Sequence, residues 1–162
     1  MHVRLILPGD AEAIRTIYNA EVTGSTATFD LVPRTVEAQS QWMDEHQGTY
    51  PAVVAVDDEG AVAGFGSLSL YRERPSYATT VEDSVYVEAD HRGTGVGKLL
   101  LVELVALAER HGFHSMIARV GGENEPSIRL HEACGFTAVG VEREIGRKFN
   151  RWLDVAVLQR ML

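Results

Sequence analysis

The sequence predicts an α/β layered domain on a mixed β-sheet, and three observations carry that expectation. Short β-branched runs alternate with longer segments whose apolar residues recur every three or four positions, in the order β-α-α-β-β-β-α-β-α-β-β. The 162 residues are 45% hydrophobic and 23% charged, a composition suited to one core that buries about 70% of the unfolded surface. No repeat, linker or low-complexity stretch divides the chain, so residues 1–162 are read as one domain.

Residues 3–7 form a short strand, and Pro8-Gly9-Asp10 offers an N-cap to a helix with Ile14, Ile17 and Tyr18 on one face. Val22 to Arg34 lacks periodicity; within it Thr23-Gly24-Ser25-Thr26-Ala27-Thr28-Phe29 is a small-residue loop carrying one aromatic. Thr35 caps a second helix with Trp42 and Met43 inward, which Gly48 ends near Pro51. Val53-Val54-Ala55-Val56, the turn Asp57-Asp58-Glu59-Gly60 and Ala61 to Leu70 make a hairpin. A polar connection from Tyr71 to Ala78 leads into a strand from Thr79 to Val87. A helix from about Gly95 to His111 sets Leu100, Leu101, Leu104, Leu107 and Ala108 on one face, with Gly112 as its stop. Ser115 to Val120 is again strand-like, Pro126 opens a helix closed by Gly135, and the tail from Thr137 holds two strands around Lys148-Phe149-Asn150-Arg151. Trp42, Trp152 and the Leu100/Leu104/Leu107 stripe are expected in the core.

The charge balance of 15 Lys+Arg against 23 Asp+Glu, net −8, argues against a nucleic-acid partner, because polyphosphate binding is driven by basic surface. The apolar run Met1 to Leu7 stops at Pro8-Gly9-Asp10, too short for a signal peptide, and no stretch approaches the roughly 20 apolar residues of a membrane span. A cytoplasmic protein without a membrane partner is expected. Cys134 is the only cysteine, which excludes an intrachain disulfide and a thiolate-rich metal cage; it is expected to be buried and unactivated. His2, His46, His111 and His114 have no recognisable partners, and no metal is expected.

The most informative segment is Val85-Tyr86-Val87-Glu88-Ala89-Asp90-His91-Arg92-Gly93-Thr94-Gly95-Val96-Gly97-Lys98, an apolar strand running into a glycine loop that opens a helix. Glycines there let the backbone approach an anion and aim several N–H groups at it, and the helix adds the positive end of its dipole. The spacing fits neither a Walker loop, because Leu99 follows Gly97-Lys98, nor a Rossmann loop, because these glycines fall at every second position. With Arg92, Gly95 and Gly97 in the signature places, the segment resembles the Arg-x-x-Gly-x-Gly pyrophosphate loop of the GCN5-related N-acetyltransferases. Asn124-Glu125-Pro126-Ser127-Ile128-Arg129-Leu130-His131-Glu132-Ala133-Cys134-Gly135-Phe136 is similar to a second signature of that family, at the expected distance. Val81 to Val87, Ser127 to Glu132 and Gly146-Arg147-Lys148-Phe149-Asn150-Arg151-Trp152-Leu153-Asp154 resemble the branch that acetylates phosphinothricin and methionine sulfoximine. That likeness covers Arg4 to Leu162. One departure is Asn150, where glycine is expected; Asn tolerates the left-handed backbone, so the turn is kept.

The resemblance implies a central mixed, splayed sheet flanked by helices, acetyl-CoA as cosubstrate, and a coenzyme site made by Arg92, Gly93, Thr94, Gly95, Val96, Gly97, Lys98, Asn124 and Ser127, with Arg129 as a further basic neighbour. The backbone N–H groups of Val85, Tyr86 and Val87 would polarise the thioester carbonyl. The implied substrate is the α-amino group of a small amino acid of the phosphinothricin, methionine sulfoximine or methionine sulfone type. An ammonium must lose a proton before it attacks a thioester, so a base is required; Glu82, on the strand entering the loop, is the candidate, its pKa raised if half-buried. His131 stands where many relatives carry a tyrosine that protonates the leaving thiolate; imidazole can do that work or help deprotonate the amine, and a helix-surface histidine without a role is the alternative. Substrate contacts are assigned to Arg72, Arg74 and Tyr77, which match the family's spacing, to Phe29, and to Ser84 and Tyr86, which share a strand face with Glu82. An acetyltransferase for a protein N-terminus or a polyamine and a non-catalytic acetyl-CoA sensor remain as alternatives. A homodimer is expected, through an apolar face on the closing strands around Trp152 to Leu158, with Val155 and Val157.

Overall fold

A computed structural model describes residues 1–162. Its elements are β1 (His2–Leu5), α1 (Ala11–Gly24), α2 (Val36–Glu45), β2 (Ala52–Val56), β3 (Val62–Leu70), β4 (Thr80–Val87), α3 (Val96–Arg110), β5 (Ser115–Gly121), α4 (Glu125–Ala133), β6 (Thr137–Lys148) and β7 (Arg151–Met161). The strands form one seven-stranded sheet in the order β1-β2-β3-β4-β5-β7-β6. Only β4 and β5 pair in parallel; α3 carries the chain across between them, as a parallel neighbour requires.

Each face of the sheet has its own apolar layer. On one side Leu100, Leu104 and Leu107 of α3 pack with Leu68, Met116, Phe136 and Leu158; on the other Ile14, Ile17 and Val22 of α1 and Met43 of α2 pack with Val54 and Phe65. β2 is buried on both faces, which is why Ala52–Val56 reads as an unbroken apolar run rather than an alternating one. The glycines of β3 admit α3 at close range: a Cβ on Gly66 would meet Leu104 at 2.8 Å.

Four details depart from the sequence reading. α1 continues to Gly24, because Val22 extends the stripe of Tyr18 and is buried although its neighbours are polar. Asp10 does not cap α1; it accepts from Leu7 N at 2.7 Å and from both terminal nitrogens of Arg4 at 2.7 and 2.9 Å, tying β1 to the turn that follows. Trp152 is 60% exposed rather than in the core, with Arg147 stacked over its ring. Val155 is buried; besides Met161 at the end of β7, the large apolar residues left facing solvent on the last hairpin are Val139, Val141, Ile145, Phe149 and Trp152. These lie mostly on β6, the sheet's outer strand. No helix is long and apolar enough to cross a membrane.

Candidate active site

The glycine loop is an anion cradle built from backbone. Gly93 and Gly95 hold φ of +74° and +94°, the left-handed region, and Gly95 is the residue from which α3 starts. From Gly93 to Lys98 no backbone N–H donates to a protein acceptor, whereas the N–H of Leu99 reaches Gly95 O at 3.1 Å. A run of unsatisfied donors at the start of a fifteen-residue helix is where phosphate groups bind. Gly97 serves another purpose as well: its missing Cβ would meet Leu130 at 3.1 Å, so it lets α4 lie against α3. Val96 turns its side chain into the core, Thr94 donates to His91 O at 2.6 Å, and Lys98 is exposed. Arg92 is paired with Glu21 of α1; an incoming pyrophosphate would compete with that carboxylate for the guanidinium.

Below the loop the sheet opens. The β4–β5 ladder consists of Thr80, Val81 and Glu82 against Ser115, Met116 and Ile117, and pairing ends there. Beyond it lies a cleft of about 380 Å³ lined by Glu21, Ser25, Thr26, Ala27, Val85, Tyr86, Val87, Arg92, Glu123, Asn124 and Pro126. It continues into an inner recess of about 60 Å³ that adds Asp83, Ser84, Arg119, Ser127 and His131. Glu88 N donates to Ala63 O at 2.9 Å, which fixes the alternation along β4. Tyr86, two residues back, must turn its N–H toward β3, while Val85 and Val87 turn theirs into the opening. Of the three N–H groups expected to polarise a carbonyl, two are therefore available and Tyr86's is not. The Tyr86 ring packs instead against Tyr18 and Phe65 on the α1 side, and burial pushes its phenol upward.

Glu82 is the last residue of β4 paired to β5 and sits half-buried where the two strands part. Burial raises its carboxyl above the usual carboxylate range; Arg119 and Arg72 pull it back, while Asp83 and Glu142 push it further up. Arg119 of β5 is itself bound to Glu142 of β6 at 2.6 Å. Of the polar connection, Arg72 stacks over Tyr71 and Tyr77 at 5.1 and 5.9 Å and acts on Glu82. Arg74 is exposed and makes no ion pair. Ser84 lies in the recess. Phe29 is wedged on β5 and β6, where a Cβ on Gly121 or Gly146 would overlap its ring; here it anchors the loop rather than closing over the cleft.

His131 is not a surface residue. It is 4% exposed, its Nδ1 donates to Ser127 O at 2.7 Å, and its Nε2 lies 2.9 Å from Asp83 Oδ2. Burial works against the charged ring, but the adjacent Asp83 carboxylate outweighs it and holds the imidazole above its ordinary value. Asn124 accepts from Ser127 N at 3.3 Å, capping α4, and lines both parts of the cleft. Cys134 is buried, and burial pushes its thiol up, the opposite of activation.

The sequence reading missed Asp83, Arg119, Glu142, Glu21 and Lys148. Lys148 is buried, and its Nζ donates to Thr28 O at 2.8 Å and Glu21 O at 3.3 Å, pinning the loop that roofs the cleft. One signal was present for Asp83: strand alternation puts it with Val81 and Val85 on the apolar face, where an acid needs a partner.

The chain matches the acetyltransferase (GNAT) family model over residues 12–136. It is 39% identical over 162 residues to a phosphinothricin N-acetyltransferase of Alcaligenes faecalis, covering 99% of this chain and 82% of that protein. Against an L-methionine sulfoximine/L-methionine sulfone acetyltransferase of Pseudomonas paraeruginosa the identity is 39%, covering 93% of this chain and 88% of that one. Among solved structures, a phosphinothricin acetyltransferase from Sinorhizobium meliloti in complex with acetyl-CoA superimposes with a TM-score of 0.96 at 40% identity, covering 99% of this chain and 87% of that one.

Proposed function

The chain belongs to the acetyltransferase (GNAT) family, and from that premise we propose that it transfers the acetyl group of acetyl-CoA directly to the α-amino group of a small amino acid of the phosphinothricin, methionine sulfoximine or methionine sulfone type. The observation that carries this reading is the continuity of one cleft. Arg92, next to the loop of free N–H groups suited to a pyrophosphate, lines one part, and Asp83 and Ser84 line the other, directly after the half-buried carboxylate of Glu82, whose pKa is raised where β4 and β5 part. The names of the relatives favour the amino-acid class.

In this reading the Gly93–Lys98 backbone and Arg92 hold the pyrophosphate, and Asn124 meets the pantetheine arm. The N–H groups of Val85 and Val87 receive the thioester oxygen as it gains charge. Glu82, directly or through one water, takes a proton from the substrate ammonium. The free amine attacks the carbonyl, the C–S bond breaks, and the sulfur is protonated. Arg119, which lines the recess, and Arg72, which acts on Glu82, would supply the cation that a substrate carboxylate or phosphinate needs. Direct transfer asks for no metal. A homodimer would cover Val139, Val141 and Ile145 on the outer strand and Trp152 on β7, and the cytoplasm is the compartment that supplies acetyl-CoA.

A thiol-release assay with acetyl-CoA and a panel of methionine sulfone, methionine sulfoximine, phosphinothricin, spermidine and an alanine-starting peptide tests the reading. Turnover confined to the amino-acid analogues is expected. Turnover on spermidine or the peptide alone would reassign the substrate, and acetyl-CoA binding without turnover on any of them would make the protein a sensor.

A further inference from the structure

Asp83 and His131 form a closed pair at the base of the inner recess. Their side chains are 1% and 6% exposed, from strands and helices 48 residues apart. The Ser127 carbonyl can only accept, so His131 Nδ1 must carry a proton. Between Nε2 and Asp83 Oδ2, at 2.9 Å, one further proton must lie, since two bare acceptors would repel at that distance. The pair therefore holds one exchangeable proton and is neutral overall. Asp83 Oδ1 is sealed from solvent and has no partner, although Asp83 lines the recess; a buried carboxylate oxygen left this way is costly unless a ligand completes it.

We propose that Asp83 is a positioning residue for the transfer: it fixes the His131 ring and holds, jointly with it, the proton that the departing coenzyme sulfur takes up. The inference rests on the acetyl-transfer reading above. As the C–S bond breaks, its electron pair goes to sulfur, an S–H bond forms, and the pair is left as neutral imidazole and carboxylate. The substrate ammonium sheds two protons overall; one leaves through Glu82 and the other restores the pair, so the balance closes with one proton released.

The groups that face the pair are few. Glu82 neighbours Asp83 on β4, Arg119 on β5 shares the recess but is bound to Glu142, and Cys134, just past the end of α4, is a buried neutral thiol that Lys98 of α3 and Arg160 of β7 influence. None of them forms an ion pair with either residue, but the Asp83 charge also raises Glu82 and Cys134, so the effect on His131 is read at its own ring.

The test is a nitrogen-15 NMR titration of the His131 ring in ligand-free protein, paired with pH profiles of kcat for wild type and Asp83→Asn. In wild type the ring should stay doubly protonated above the pH at which an unperturbed imidazole titrates. In Asp83→Asn it should lose its proton at or below that pH, and kcat at pH 8 should fall by about 10-fold or more, with KM for acetyl-CoA within about twofold. A wild-type ring titrating at the ordinary imidazole pH would overturn the proposal. So would an Asp83→Asn enzyme whose kcat profile keeps the wild-type position. The titration is read without substrate: a protein that shows the shifted ring but is silent on the amino-acid panel would refute the substrate assignment and leave the shared proton standing.

Discussion

The glycine loop and the cleft below it are two halves of one site made from different material. The loop is eight residues of contiguous chain or fewer, and its working groups are backbone N–H donors that any sequence with the right glycines presents. The root of the cleft draws side chains from β4, β5, α4 and β6, between Arg72 and Glu142, and each is set by a neighbour of opposite charge. The first should tolerate side-chain changes and fail when its backbone is strained. The second should keep binding coenzyme and fail when a single atom changes its proton.

The sharpest separation is Glu82→Gln, which keeps volume and removes the base. Turnover should fall by ~10²-fold or more near neutral pH while acetyl-CoA affinity is unchanged by calorimetry. Because the folded carboxyl sits above its ordinary range, its ionised form costs stability at neutral pH. The variant should therefore melt at or above wild type at pH 7.5, and that gain should vanish as the pH falls below the range where the unfolded carboxyl titrates.

Next in size is Gly95→Val, at φ +94°. A β-branched residue in the left-handed region costs about 1–3 kcal/mol, so acetyl-CoA affinity should fall by roughly 10- to 100-fold. Circular dichroism should show the fold retained. Wild-type affinity would remove the loop from the site and with it the division drawn between the two halves.

His131→Ala bears on stability. Its raised pKa means that its contribution is fully present below the unfolded imidazole value and is lost as pH rises through the folded one. Breaking a buried pair typically costs about 3–5 kcal/mol. Urea unfolding should show a deficit of about that size at pH 6, narrowing as the pH is raised. A deficit that is flat with pH would mean that cavity formation, not the ion pair, is what was lost.

The smallest effect concerns the rim. Arg72→Ala should raise KM for methionine sulfone by about 10-fold, whereas Arg74→Ala should leave it within about twofold, with acetyl-CoA affinity unmoved in both. Equal effects would show that the substrate recruits Arg74 from solvent, which the unliganded geometry does not suggest.

What could be read from sequence follows the same division. Helix stops, the hairpin at Asp57–Gly60 and the Gly93–Lys98 loop rest on local chemistry, so strand period, capping and glycine spacing reveal them. Glu82 was legible because an acid interrupts an apolar strand beside that loop. Asp83, one residue on, falls on the apolar face by strand alternation, but nothing local names its partner, which comes only from the 48-residue reach to His131. Trp152 failed for the opposite reason: aromatic residues suggest a core, but this one lies on the outer hairpin, and nothing local separates an interior from an uncovered face.

The pH profile of kcat on methionine sulfone, wild type against Glu82→Gln, tests most directly that a half-buried carboxylate at the root of the cleft does the proton transfer. Wild type should show an ascending limb lying above the ordinary carboxylate range, and the variant should lack that limb at every acetyl-CoA concentration. The same limb in both enzymes would contradict the account and put the base elsewhere.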